Sequence, residues 1–366
     1  MSPGPGVGAV VGLALLAHDL NRDLQRAARA AGGAARLASL APARGAAVVG
    51  CDVARFAGAM DRRRVAEARA RCLRDGATVV ESDALPLRLR QVFDPPFGLF
   101  AAGRWAATAP LLDERPVVAI VGSRHPSAAG AAFARSLAAD LAAQGAVIVS
   151  GLALGIDAAA HEGALDAGGR TVAVLGCGLG HDYPRRNAGL RRRILEASSV
   201  VTEYWLDTEP APWRFPARNR IVAGLADATV VIEARGRSGA LITADFALEL
   251  GRVALAVPGW PWSEQSQGSN ELIRSGAGVC LGSEDVRSEV PHDGWVDADT
   301  PAPPPPDGRC AEVYGLLRRE PLRAEQISQS AAISPAATAA ALAELEVQGL
   351  VFRGEGQRYW AVRRGS

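Results

Sequence analysis

The chain has 366 residues, enough for two or three domains, and its 48% hydrophobic and 22% charged composition excludes a disordered or fibrous protein. All 40 basic residues are Arg, yet the formal net charge is only +1, so any affinity for a polyanion has to come from a local patch. The five cysteines are scattered without a CxxC or Cys/His ligand spacing. This argues against a bound metal and indicates reduced thiols in the cytoplasm.

Association with a membrane is not predicted either. The apolar run Val7–Ala17 is too short for a transmembrane helix, which needs about 20 apolar residues. No basic residue precedes this run and no convincing cleavage site follows it, so it is not typical of a signal peptide. We interpret it as a buried helix in a cytoplasmic protein.

The first two regions of the chain differ in composition and in hydrophobic pattern. Residues 1–112 are rich in Ala and Arg with helical periodicity, and they end in a loop-like segment at 93–100. Residues 113–286 alternate apolar runs, Gly-rich turns and helices such as Ala128–Gln144 and Leu241–Gly251. The predicted strands are Val117–Val121, Ala146–Val149, Thr171–Leu175, Val200–Glu203, Ala228–Ile232 and Val253–Val257. Their continuous aliphatic character indicates strands covered on both faces, and the alternation predicts an α/β fold with a doubly wound parallel sheet.

The C-terminal region begins after an acidic, Pro-rich linker at 287–308. Residues 309–366 are predicted to form three helices and a β-hairpin, which is a winged-helix pattern, and Ser334 with Pro335 is a typical helix start. A transcription regulator is the corresponding functional hypothesis. This hypothesis is disfavoured by the helix that begins at Pro335, which would be the recognition helix. It contains no Arg, Asn or Gln before Gln348 that could read base edges.

Small residues end three successive strands of the central region, in the segments Gly122–Gly130, Ser150–Asp157 and Gly176–Gly180. Such residues let backbone N–H groups and helix N-termini approach an anion closely. Glycines also make tight turns for purely structural reasons. Because three loops open on one edge of the sheet, we favour an anion-binding site there.

A nucleotide cofactor fits these loops poorly. The dinucleotide fingerprint GxGxxG is missing after the first strand, and in the third loop His181 stands where the last glycine belongs. Glu203, at the end of the following strand, is the feature that keeps an NAD site open as an alternative. There is no GxxxxGK[ST] sequence for ATP phosphates either, so we expect no cofactor.

A nucleic-acid strand fits better. The segment Trp213–Arg220 interleaves aromatic and Arg side chains just ahead of a predicted helix, and Arg124 follows the first strand. Bases stack on aromatic or guanidinium planes for about 1–3 kcal/mol each, while Arg side chains hold phosphates. The alternative is that Trp213 and Phe215 belong to the core and the arginines pair with nearby acids.

At this point the motifs resemble those of the DprA (Smf) family of DNA-processing proteins. The segments that carry the resemblance, over about 93–282, are Val121–Arg124, Ser150–His161, Gly178–Pro184, Phe215–Leu225, Ser238–Ala244 and Ala256–Gly259. The resemblance implies an extended Rossmann-like domain at 113–286, a degenerate SAM-like helical region within 1–112, and a C-terminal winged-helix domain. His181 lengthens the third motif, and Ala240 replaces a common Ser. At these two positions the chain departs from the usual family pattern, so we expect the loops there to differ in shape.

The resemblance further implies a homodimer that binds single-stranded DNA without catalytic turnover, protects it, and assists loading of the RecA recombinase during natural transformation. The implied DNA-binding residues, transferred by motif, are Arg124, Ser123, Gly151, Phe215, Arg218, Asn219, Arg220, Ser238 and Gly239.

An enzyme remains the competing hypothesis. His161 lies four residues after Asp157 on one helix face, although a buried structural histidine is the simpler interpretation. Asp245, Glu249 and Glu233 form no evident acid–base pair. The specific alternative is a LOG-like (lysine-decarboxylase-like) nucleotide hydrolase on a related Rossmann fold, whose PGGxGT-type loop this chain does not have.

Overall fold

The computed structural model describes residues 8–297, 308–348, 350–354 and 357–361. Their main element is a sheet of nine strands. The strands are β1 (Ala77–Glu81), β2 (Gly98–Gly103), β3 (Val117–Gly122), β4 (Val147–Ser150), β5 (Arg170–Val174), β6 (Ser199–Thr202), β7 (Ala228–Ile232), β8 (Val253–Ala256) and β9 (Gly278–Val279). Their spatial order is β1-β2-β6-β5-β4-β3-β7-β8-β9, and β3 to β9 are all parallel. The Rossmann-like doubly wound sheet is confirmed, and each of the six predicted strands is found within one residue of its expected ends.

An antiparallel hairpin extends this sheet beyond β6. Strand β2 pairs with β6 on one side and with β1 on the other. We did not predict either strand, because the region to residue 112 reads as helical with a loop-like end. The Gly and Ala residues of β2 have little intrinsic strand preference, so its conformation is decided by pairing with neighbours distant in sequence.

The helices divide into three groups. The N-terminal group is α1 (Ala9–Leu20), α2 (Gln25–Ala31), α3 (Ala34–Ala38), α4 (Pro42–Val49), α5 (Val53–Ala59) and α6 (Arg62–Arg74), and α1 is buried as predicted. Three short helices lead into the sheet: α7 (Leu87–Arg90), α8 (Trp105–Thr108) and α9 (Leu111–Glu114). The sheet helices are α10 (Ala128–Ala143), α11 (Ile156–Asp166), α12 (Ala188–Ala197), α13 (Arg214–Leu225), α14 (Gly239–Glu249), α15 (Gln267–Arg274) and α16 (Ser283–Glu289). No helix in the described ranges has the length and apolar character that crossing a bilayer requires.

Both faces of the parallel sheet are covered. In β3, Val117 and Val121 pack with α13 and α14 on one face, whereas Val118 and Ile120 pack with α10 and α11 on the other. This explains why the strands are continuously apolar rather than alternating.

The expected linker at 287–308 begins too early, because residues 287–289 form the end of α16. Residues 290–297 follow α16 and return to the sheet domain, where the Val296 N–H donates to the Gln144 carbonyl at 2.9 Å. The Arg115 guanidinium donates to the carbonyl of Gly294 at 2.9 Å. The remainder of the Pro-rich segment, 298–307, lies outside the described residues.

A small C-terminal unit has the winged-helix arrangement. It contains α17 (Gly308–Leu317), β10 (Leu322–Arg323), α18 (Ala324–Ser330), α19 (Pro335–Val347), β11 (Val351–Arg353) and β12 (Arg358–Ala361). The Ser334 side chain accepts from the Ala337 N–H at 3.2 Å and caps α19, with Pro335 in its first turn, as predicted. The three strands pair in the order β10-β12-β11.

Close packing of α10 on α11 depends on Gly163. A Cβ atom at this position would lie 2.0 Å from the backbone carbonyl oxygen of Arg135. We therefore expect Gly163→Ala to lower the free energy of unfolding by about 2 kcal/mol, although Ala is otherwise the better helix former. Gly189→Ala on α12 is the matched control, because its Cβ meets nothing within 4 Å. Urea denaturation of both variants measures the difference, and equal stabilities would contradict it.

Candidate nucleic-acid interface

The strand order reverses between β3 and β7. From β3 the chain winds outward through β4, β5 and β6, and it then returns to the other side of β3 to form β7, β8 and β9. In doubly wound proteins, ligands bind outside the carboxyl ends of the strands at such a switch point. The Gly-rich loops of the sequence analysis all lie at this edge.

An open cleft of about 380 Å³ occupies the switch point. It is lined by the ends of β3 and β4, the segment before α12, the first turns of α13 and the N-terminus of α14. Seven of the nine predicted residues line it: Arg124, Gly151, Phe215, Arg218, Asn219, Ser238 and Gly239. Ser123 and Arg220 do not.

Arg124 and two aromatic rings form the exposed part of the cleft. The Arg124 guanidinium carbon lies 5.6 Å from the centroid of the Phe215 ring. The Tyr183 ring stacks on Phe215 with centroids 5.3 Å apart and an interplanar angle of 26°. Within the described residues Arg124 has no carboxylate partner, so its donors face solvent. A guanidinium over a ring can stack with a base and bind a phosphate.

Arg218 lies beneath these groups, in the floor of the cleft. It is 4% exposed, and its guanidinium donates to the carbonyl oxygens of Gly151, at 2.8 Å, and of Val174. Burial lowers the pKa of Arg218, and the charge of the buried Asp157 opposes that shift. The Nη1 group of Arg218 therefore holds the ends of β4 and β5 together, and its Nε–H donates to the Asn219 side-chain oxygen at 3.2 Å.

Arg220 faces away from the cleft. Its guanidinium donates to both carboxylate oxygens of Glu203, at 3.0 and 2.6 Å, and lies 3.4 Å from the Asp94 carboxylate. Burial disfavours the charge of Arg220, but the Glu203 carboxylate outweighs it and holds the pKa above its usual value. The sequence analysis considered the alternative that arginines of this motif pair with nearby acids. This alternative is correct for Arg220.

The α13–α14 side of the cleft carries the polar groups. The Asn219 side-chain N–H donates to the Gly239 carbonyl at 3.0 Å, and the Ser238 hydroxyl caps α14 by accepting from the Ala240 N–H at 3.3 Å. The first N–H groups of a helix have no partner within the helix and suit an anion. Ser123 lies just outside the cleft, where its hydroxyl accepts from the His125 N–H at 3.1 Å.

The position that a dinucleotide phosphate takes in Rossmann enzymes is occupied by the protein itself. At the N-terminus of α10, the Glu233 carboxylate accepts from the Ser127 N–H at 2.8 Å and from the Ser127 hydroxyl. A second anion at this helix end would be repelled. Glu203, the acid that kept an NAD site open, is engaged by Arg220, and its side chain is only 11% exposed. The geometry therefore disfavours a dinucleotide.

Comparison with known proteins agrees with this fold. Residues 76–291 match the family described as DNA recombination-mediator protein A, and residues 297–357 match the DprA winged helix domain. The chain belongs to the DprA/Smf family. Protein Smf of Synechocystis is 34% identical over 313 residues, which cover 75% of this chain and 77% of that protein. DNA processing protein DprA of Bacillus subtilis is 38% identical over 212 residues, 58% of this chain and 70% of that protein.

Two solved structures of DprA proteins resemble the chain. The Streptococcus pneumoniae protein has a TM-score of 0.64 and 32% identity, covering 80% of this chain and 99% of that one. DNA processing protein A of Helicobacter pylori, whose structure was described for its single-stranded DNA binding mode, has a TM-score of 0.52 and 31% identity over 58% of this chain and 94% of that one. The family assignment gives the chain a role in DNA processing and recombination.

Asp157 and His161 do not form a pair in this DprA-family chain. The Asp157 carboxylate accepts from the N–H groups of Gly151, at 3.0 Å, and Ala153, at 3.3 Å. The fully buried His161 bonds the Thr171 hydroxyl through Nδ1 at 2.6 Å, and no hydrogen-bond partner for its Nε2 is found among the described residues. Burial, assisted by the charge of Arg218, lowers the pKa of His161 to about 3. The predicted burial of this histidine is confirmed, whereas the expected satisfaction of both ring nitrogens is not found for Nε2 within the described ranges.

Two residues that line the cleft, Tyr183 and Asp157, were not predicted as site residues from the sequence. Tyr183 was part of a quoted motif, but nothing in its spacing indicated a stack on Phe215, which comes from another element. Asp157 was considered only as a partner of His161, whereas it shapes the β4 loop and faces the cleft. A buried acid directly after a Gly-rich turn is the signal that identifies such a role.

The buried ion pair yields a stability prediction. Glu203→Gln removes the main carboxylate from a guanidinium that is 8% exposed, so we expect the free energy of unfolding to fall by about 3 kcal/mol. Glu67→Gln breaks the exposed pair with Arg63 and should cost less than about 0.5 kcal/mol. Chemical denaturation compares the two variants, and similar losses would show that the buried pair is not special.

His161 yields a prediction on pH. Its pKa is about 3 when folded and about 6.5 when unfolded, so between these values the unfolded chain binds the extra proton. The contribution of neutral His161 to the free energy of unfolding is complete above pH 6.5 and is lost as the pH falls. We expect a loss of about 2 kcal/mol between pH 8 and pH 5. Urea unfolding at both pH values should show this loss reduced in His161→Asn and unchanged in His125→Asn, which alters an exposed histidine. An equal loss in all three proteins would refute the assignment.

Proposed function

We propose that this DprA-family chain binds single-stranded DNA along the carboxyl edge of its sheet, without catalytic turnover. The observation that carries the proposal is the Arg124 guanidinium over the Phe215–Tyr183 stack, in an open cleft at the switch point. Bases stack on exposed ring faces, and a free guanidinium neutralises a phosphate. The single-strand binding described for the Helicobacter pylori protein supports the same ligand class.

The distribution of charge along this edge favours a chain of phosphates over a single small anion. Arg185, Arg186, Arg235 and Arg237 are exposed and have no ion-pair partner within the described ranges. Arg185 and Arg186 lie in a short 3-10 helix after β5, and Arg235 and Arg237 lie in the loop after β7, on the other side of the Arg124 position. An extended polyanion that crosses the edge meets successive cations, although the net charge of the chain is only +1.

Turnover is not part of the proposal. Asp157 is the one carboxylate among the described residues that line the cleft, and one of its oxygens, Oδ2, accepts from two backbone N–H groups. Asp245 and Glu249 are exposed on α14 away from the lining. General acid–base hydrolysis needs a positioned acid and a positioned base, so a lining with one carboxylate supports binding without turnover. Incubation with nucleoside monophosphates should release no free base, and release by the pure protein would favour the hydrolase.

Arg124→Ala is the direct test of DNA binding. The variant loses one phosphate contact and one stacking plane, so we expect single-strand affinity to fall about tenfold and the slope of log K against log salt to decrease by about 0.7. Arg63→Ala, which removes an 89% exposed side chain from the N-terminal helices, is the matched control. Fluorescence anisotropy over a salt series measures both quantities. Equal behaviour of the two variants would contradict the proposed site.

Arg218 and Arg220 are less suitable for this test. Both side chains make hydrogen bonds inside the protein, so their removal alters the strand ends and a buried ion pair along with any DNA contact. Their predicted contact with DNA stays a prediction. If it forms, we expect Arg218 to act by its charge beneath the cleft, and Arg220 only after release from Glu203.

The finer role is inferred from family membership. We propose that the chain acts as a homodimer in the cytoplasm, protects incoming single strands and assists RecA loading in natural transformation. Light scattering tests the dimer. A strand-exchange assay with RecA, on DNA coated with single-strand-binding protein, tests loading. Stimulation of exchange by the chain but not by Arg124→Ala is the expected result, and no stimulation by either protein would remove RecA from the proposal.

A further inference from the structure

Two neighbouring tryptophans of the sheet domain are exposed to solvent. Trp260 and Trp262, in the turn after β8, are 68% and 81% exposed. Their ring centroids lie 5.4 Å apart at an interplanar angle of 59°. Single exposed apolar residues are common on protein surfaces, but two adjacent large aromatic side chains form a patch that indicates a binding function.

Hydrogen bonds constrain the turn that carries them, residues 258–266. The Asn270 side chain donates to the Gly259 carbonyl and accepts from the Gly259 N–H, both at 3.0 Å. Within the turn, the Ser263 N–H donates to the Trp260 carbonyl at 2.9 Å, and Pro258 and Pro261 restrict the backbone. The indoles are therefore presented to solvent by a constrained backbone, which reduces the entropy lost on binding.

The turn is continuous with the candidate DNA interface. The Gly268 N–H donates to the Ala234 carbonyl at 2.6 Å, which brings the start of α15 against the loop after β7. That loop contains Arg235 and Arg237 and leads to Ser238 in the cleft. On the other side, the Gln265 side chain contacts the carbonyl of His125, the neighbour of Arg124, at 3.5 Å.

We propose that Trp260 and Trp262 form a second base-stacking site for the single strand that occupies the Arg124 cleft, with Arg235 and Arg237 binding the intervening phosphates. The inference rests on the proposed DNA binding. Indole faces stack with every base and so extend the contact without sequence preference. Glu264 is the one acid in the turn, so the phosphates pass on the side of Arg235 and Arg237.

Stacking and ionic contacts differ in their salt dependence, which makes the proposal testable. We expect the double substitution Trp260→Leu with Trp262→Leu to weaken binding of an oligothymidylate of about 16 nucleotides by about tenfold. The slope of log K against log salt should be unchanged, because no cation is removed. The double substitution to Phe keeps two ring faces and should retain most of the affinity. Leu73→Ala, at a 74% exposed apolar side chain on α6, is the surface control.

A direct readout complements the affinities. An oligonucleotide that contains 5-iododeoxyuridine should crosslink on irradiation to Trp260 or Trp262, identified by mass spectrometry. Retained affinity in the Leu variant while Arg124→Ala binds weakly would overturn the stacking site and leave the proposed function intact. Full affinity in both variants would instead refute the cleft. Loss of affinity accompanied by a change of oligomeric state in light scattering would identify the indoles as a protein contact and also overturn the proposal.

Discussion

The carboxyl edge of the sheet depends on the burial of one guanidinium. Arg218 has almost no exposure, and a buried charge is tolerated only when its donors are satisfied and a counter-charge is near. The carbonyls of Gly151 and Val174 accept its hydrogen bonds, and Asp157 supplies the opposite charge. Asp157 in turn binds the N–H groups that follow β4. The loop that shapes the cleft therefore takes its conformation from this buried pair.

Helical periodicity explains why neighbouring motif residues have different roles. In α13, Phe215, Asn219 and Val222 follow one another at spacings of four and three, so they share the helix face that lines the cleft. Arg218 lies on the same face but deeper, whereas Arg220, two residues on, points toward Glu203. From the sequence we placed this segment just ahead of a helix, and for that reason treated all its arginines alike. Because α13 already begins at Arg214, helical geometry points Arg218 and Arg220 in different directions.

The fold was predictable where local sequence decides it. Runs such as Val117–Val121 and Ala228–Ile232 are apolar throughout, and this character follows directly from coverage on both faces. The hairpin of β1 and β2 was not predictable, because its Gly and Ala residues become a strand only by pairing with β6. The same distinction applies to the site. The loops and Arg124 followed from motifs, whereas the Tyr183–Phe215 stack joins two elements that only the tertiary structure brings together.

The near-zero net charge and the basic edge are compatible because the acids are distributed unevenly. Several arginines form ion pairs with neighbouring acids, as in the Arg220–Glu203 and Arg71–Asp207 pairs. The two charges of such a pair largely cancel in the electrostatic field around the protein. The exposed arginines of the segments that follow β3, β5 and β7, namely Arg124, Arg185, Arg186, Arg235 and Arg237, have no such partners in the described part of the chain. Since the chain contains no Lys, each of these cations is a planar guanidinium that both stacks and forms paired hydrogen bonds. A ligand that alternates flat bases with phosphates uses both properties, whereas a compact anion would use only the second.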